Sequence, residues 1–167
     1  MSFGARARLR AGRVGRPHGL DGSFHVVAPV PELLVADSAV AVGDRVLRIV
    51  RRAGTDRRPI VRLEGCEDRD AAVALRDLEL IVTRADAPAL EDDEWWADDL
   101  EGCAVRDGRE HVGVVSRLLA LPSCEVLEVQ RADAAGELLV PLVRDAVRAV
   151  DVDRRQIDID LRFLGER

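Results

Sequence analysis

The 167-residue chain has no tyrosine, no lysine and no asparagine, and only five aromatic side chains: Phe3, Phe24, Trp95, Trp96 and Phe163. Any core must therefore be built from Val, Leu, Ile and Ala, and two adjacent tryptophans stand out. Arginine is the sole basic residue besides three histidines, which reads as a G- and C-rich codon bias rather than as chemistry. Cysteine is scarce. Cys66, Cys103 and Cys124 are odd in number, lie 37 and 21 residues apart and form no CxxC pair, which argues against a disulfide scaffold or zinc ribbon and for a reducing cytoplasm. No apolar run approaches the roughly 18 residues of a membrane helix. Met1–Arg10 lacks the apolar stretch of a signal peptide. The expectation is a cytoplasmic protein.

Catalytic signatures are missing too. There is no GxSxG elbow, no GxxxxGK[ST] loop and no HExxH helix. Gly12, Gly15, Gly19 and Gly22 do not match GxGxxG. His18 and His25 could join Cys66 or an aspartate around a metal, but their spacing is not that of paired ligands on a helix. A lone cysteine is more often a small buried hydrophobe than a nucleophile. No catalytic residue, metal or cofactor is expected, and the chain reads as a non-enzyme.

What is present is an ordinary globular balance, 47% hydrophobic and 34% charged, too apolar for disorder. The charge is divided unevenly. Residues 1–88 hold 15 Arg against 12 acids, a balance of +3, and residues 89–167 hold 10 Arg against 19 acids, a balance of −9. Nothing acidic precedes Asp21, whereas Arg6, Arg8, Arg10, Arg13 and Arg16 all do. Such asymmetry suggests two modules with different partners. Pro88 and the run Glu91-Asp92-Asp93-Glu94 mark the join, giving expected domains 1–88 and 89–167.

Val- and Ile-rich segments bounded by Gly, Pro or Asp predict strands at Phe24–Ala28, Arg45–Arg51 and Pro59–Glu64. One helix is predicted, capped by Asp68, with Ala71, Leu75 and Leu78 at i, i+4, i+7. Leu78–Thr83 returns to a strand pattern. Asp107-Gly108 suits a tight hairpin turn, and a second turn falls at Asp133–Gly136. Ile157, Ile159 and Leu161 alternate with Asp158 and Asp160, the mark of a strand with one wet face. Many short strands with frequent turns predict an all-β chain with one short helix, built as two small β-barrels in tandem.

Two stretches invite a functional reading. In Gly12–Gly22, Pro17 fixes φ and Gly19 and Gly22 permit turn angles, a loop suited to holding Arg13, Arg16 and His18 outward. Guanidinium groups match phosphate, so RNA contact is one reading and a structural turn with solvated arginines the other. In Trp95–Gly102, one indole exposed beside acidic residues would anchor a basic protein partner. The alternative is that both rings seal the domain junction.

These stretches carry a resemblance. GRVGRPHGLDGSFHV is similar to the N-terminal signature of the ribosome maturation factor RimM family. Trp95-Trp96 with Asp99-Leu100-x-Gly102 resembles that family's aromatic pair and D-L-x-G. Glu137–Pro141 with Val147 and Val150-Asp151 resembles its closing pattern, so the likeness spans about residues 8 to 164. The pair is commonly Tyr-Tyr in the family, and Asp21 stands where a basic residue is frequent. The resemblance implies an N-terminal barrel of the translation-factor type and a C-terminal PRC-barrel, without enzymatic activity. It implies binding of the free 30S subunit, contact with small-subunit ribosomal protein nineteen, and help in 30S head assembly and 16S rRNA processing. The expected site residues are Trp95, Trp96, Asp99, Leu100 and Gly102 for the protein partner. Arg13, Arg16, Pro17, His18 and Gly19 would contact RNA or shape a structural loop. A monomer without membrane contact is expected.

Overall fold

Short runs of β-branched residues separated by Gly, Asp and Pro become strands throughout the computed structural model, which describes residues 7–133 and 136–166. The chain divides into two compact units, Met1–Leu90 and Glu91–Arg167. In the first, β1 (Arg8–His18), β2 (Ser23–Val27), β3 (Ala39–Val42), β4 (Arg45–Thr55), β5 (Arg58–Leu63) and β6 (Glu79–Thr83) close into a barrel of order β1-β2-β5-β4-β3-β6. Closure leaves no strand edge open to another chain. Leu9, Val14, Phe24, Val40, Ile49, Leu63 and Leu80 fill its interior, each under 2% exposed.

The stretch Gly12–Gly22 is not all loop: β1 runs on to His18. Its pairing with β6 shifts between Arg10 and Gly12, and its pairing with β2 shifts between Val14 and Pro17. Each bulge inserts a residue, so the outward positions fall at 8, 10, 13, 16 and 18, the first four of them arginines. The broken alternation is what hid the strand from a period-two reading.

The predicted helix is present as α1 (Arg69–Ala74), with Asp68 Oδ1 accepting from the Ala71 N–H at 2.8 Å. It stops before Leu78. Leu75 packs inward, but Asp77 takes φ +67° and turns the chain into β6, leaving Leu78 exposed.

The second unit holds a one-turn helix, α2 (Ala97–Leu100), then β7 (Ala104–Asp107), β8 (Glu110–Ala120), β9 (Glu125–Arg131), β10 (Glu137–Pro141), β11 (Val147–Asp151) and β12 (Gln156–Ile159). They form a six-stranded, barrel-like sheet of order β10-β9-β8-β7-β12-β11. β12 runs parallel to β7, which it meets only because a long connection returns it beside that strand. Gly108, at φ +61°, makes the β7–β8 turn. The centre of the second expected turn, Ala134-Ala135, lies outside the described residues. Leu100, Cys103, Val105, Leu127, Val140, Ile157 and Ile159 form a fully buried core. Among the described residues two α-helices are therefore present where one was expected. α2 is too short, at four residues, to leave a periodic signal.

Candidate functional site

The outward arginines of β1 do not project evenly into solvent. Arg13 and Arg16 border a cavity of about 430 Å³ on the outside of the first barrel, with Gly15, His25, Val26 and Val27 of β1 and β2, Arg58 from the start of β5, and Arg76-Asp77 between α1 and β6. Two hydrogen bonds fix the last of these walls: Asp77 N–H donates to the Val14 carbonyl at 2.9 Å, and Val14 N–H to the Leu78 carbonyl at 2.9 Å. Gly15 is required where β1 and β2 approach. A Cβ there would stand 2.7 Å from the His25 carbonyl oxygen and 3.0 Å from Val27 Cγ2.

The cavity's charge is one-sided. Arg76 Nε lies 4.0 Å from Asp77 Oδ2, while Arg13, Arg16 and Arg58 have no acidic partner among the described residues. Some arginines elsewhere are paired, Arg51 with Asp21 at 2.9 Å, Arg52 with Asp56 at 2.6 Å and Arg117 with Glu128 at 2.9 Å among them. Burial first, and then His18, Arg16 and Arg58, hold the His25 imidazole below its ordinary pKa. The ring is therefore neutral near pH 7.

The loop reading of Gly12–Gly22 needs correcting. Arg13, Arg16, Pro17 and His18 all belong to β1, and only Gly19–Gly22 turns. Asp21 ties that turn down, Oδ2 accepting from Arg51 Nη1 at 2.9 Å and Oδ1 from Ser23 N–H at 3.2 Å. Gly19 is exposed at φ +67°, and its carbonyl accepts from Arg69 Nη1 at 3.4 Å. Gly22, at φ +82°, lies so close to Cys66 that a Cβ would sit 2.2 Å from its carbonyl oxygen. Pro17 is half-buried opposite Phe24. The exposed His18 ring meets His25 edge-on, centroids 5.0 Å apart. The strand thus unites Arg13 and Arg16 with Arg58, Arg76 and His25, three residues that sequence reading did not attach to them.

In the second unit the tryptophans immediately precede α2. Trp95 is half-buried and packs against the second core. Trp96, the residue before α2, is 8% exposed. Leu100 is fully buried within that core. Asp98 and Asp99 are half-buried on α2, and the Asp99 carbonyl accepts from Cys103 Sγ at 3.1 Å. Gly102 is exposed at φ +78°, its N–H donating to the Val115 carbonyl at 2.8 Å.

A closed six-stranded barrel, followed by a barrel-like sheet entered through an aromatic pair and an acidic turn, defines a two-barrel protein. Residues 9–87 match the family model of the RimM N-terminal domain, and residues 97–163 that of the RimM PRC barrel domain. The chain belongs to the RimM family. It is 36% identical over 165 residues to the ribosome maturation factor RimM of Frankia alni, covering 89% of this chain and 91% of that one. The ribosome maturation factor RimM of Sorangium cellulosum is 33% identical over 155 residues, covering 87% and 90%. The solution structure of the N-terminal domain of RimM from Thermus thermophilus is 29% identical, with a TM-score of 0.44, over 50% of this chain and 98% of that one.

Proposed function

We propose that this chain is a ribosome maturation factor that binds the free 30S subunit through small-subunit ribosomal protein nineteen, and so assists 30S head assembly and 16S rRNA processing. The observation that carries this reading is the match of both units to one family, whose curated relatives are named for ribosome maturation. Charge supports it. Residues 89–167 carry a balance of −9, suited to a basic ribosomal protein, for which complementarity raises the encounter rate and rejects acidic competitors. The contact would centre on Trp95, flanked by Asp99 and Gly102, with Trp96 and Leu100 holding that surface in place. Action is by binding alone: the factor stabilises the assembly state for which it has the greater affinity, and no bond is made or broken.

Calorimetric titration of the full chain with purified ribosomal protein nineteen tests this. Trp95→Ala should weaken binding by about tenfold or more, as truncation of an aromatic anchor does, with an unchanged circular dichroism spectrum. Unaltered affinity in the folded variant would remove Trp95 from the interface.

A further inference from the structure

The arginine-lined cavity of the first barrel is not accounted for by a protein contact on the second. We infer that it is a binding cleft for the phosphodiester backbone of RNA, with Arg13, Arg16, Arg58 and Arg76 as its cationic wall. Three of these guanidinium groups have no acidic partner among the described residues, in a chain whose net charge is −6. Arginines drawn from β1, β5 and the α1–β6 connection line one concavity of about 430 Å³, and a concave surface of one sign concentrates its field on an incoming counter-ion. Each guanidinium offers a planar fork of donors matched to phosphate oxygens. Asp77 is the one acid in the lining, and it faces Arg76. With His25 neutral, the cleft owes its charge to arginine and holds it across the physiological pH range.

Backbone recognition is independent of sequence, which sets the probe. The inference rests on the ribosome-factor reading only for the choice of RNA among polyanions. A fluorescently labelled 15-nucleotide oligouridine is titrated with the full chain at low salt and followed by anisotropy, beside a labelled polyglutamate peptide. Wild type should bind the RNA in the range of about 10⁻⁴ to 10⁻⁶ M, with log affinity falling linearly against log salt. Arg16→Glu with Arg58→Glu should weaken binding by at least about tenfold and flatten the salt slope. Arg106→Glu with Arg109→Glu, the same charge change on exposed arginines of the second unit, should leave it within about twofold. The milder pair Arg16→Gln with Arg58→Gln decides the matter if the reversal unfolds the barrel.

Equal losses from both reversed pairs, equal affinity for polyglutamate, or no RNA binding by folded wild type would overturn the cleft. The outcomes separate from those of the previous reading. A chain that ignores 30S subunits yet binds RNA through Arg16 and Arg58 sinks the maturation-factor proposal and keeps the cleft. A chain that binds 30S subunits while the reversed pair leaves RNA affinity unchanged does the opposite.

Discussion

Phe24 carries the one phenyl ring among the described residues of the first unit, and it has no exposed surface. It sits on β2 opposite Val61 of β5 and Pro17 of β1, inside a barrel otherwise filled by aliphatic side chains. Burying a phenylalanine removes about 200 Å² of apolar surface from water, which at about 25 cal/mol per Å² is about 5 kcal/mol. Because the unfolded chain already shields part of that surface, the figure is an upper value. Phe24→Ala should therefore destabilise the barrel by about 3–5 kcal/mol, the cavity term included. A unit spanning Met1–Leu90 has a total stability of about 5–13 kcal/mol at typical values per residue. The substitution thus removes a large share of it, equivalent to roughly 15–30 °C in Tm. Phe24→Leu, which keeps most of the volume, should cost less than about 2 kcal/mol. Urea unfolding followed by far-ultraviolet circular dichroism measures both. A cost below about 1.5 kcal/mol for Phe24→Ala would refute the claim that this ring organises the barrel core.

Gly22→Ala and Gly65→Ala both force alanine into a left-handed conformation, at φ +82° and +79°, but only the first meets an obstacle, at 2.2 Å, while the second meets nothing within 4 Å. Gly65→Ala should cost about 1–2 kcal/mol and Gly22→Ala measurably more in the urea midpoint; equal costs would contradict the packing described against Cys66. In an NMR titration the His25 ring should show a midpoint below 6.5, and Arg58→Gln should raise it. Since the unfolded chain takes up that proton first, His25 withdraws stability as pH falls below about 6.5, and a midpoint at or above 6.5 would refute the assignment. Arg148 on β11 bonds Asp107, Asp158 at 3.1 Å and Asp160 at 3.4 Å, and its hydrogen bond is the first cause holding Asp158 below the ordinary carboxylate value of 3.8. Arg148→Met should lower the urea midpoint at pH 7, with the difference from wild type shrinking as pH falls below about 4 and the carboxylates protonate. Equal midpoints at pH 7 would show that the cluster contributes no stability.

The parts of this fold that sequence reveals are those where side-chain period and turn chemistry agree. β5, β6 and β12 alternate cleanly between buried and wet residues, and Asp68 and Gly108 mark a cap and a turn that the structure contains. Where two constraints compete, the pattern fails. The bulges of β1 space its arginines by three instead of two, so a strand reads as a loop, and α2, at four residues, is too short for a periodic pattern to repeat. The arginine cleft shows a third limit. Arg13 and Arg16 stand out because their neighbourhood lacks acids. Arg58 and Arg76 become relevant only when β2 pairs with both β1 and β5 and the α1–β6 connection is bonded to Val14. Those are long-range events that no local window contains.

The most direct test of the proposed function is co-sedimentation of the purified chain with free 30S subunits, using 50S subunits and 70S ribosomes as controls. The expected result is binding to free 30S subunits alone, reduced by Trp95→Ala. Folded protein that fails to sediment with 30S subunits at low salt, or that sediments equally with all three particles, would contradict it.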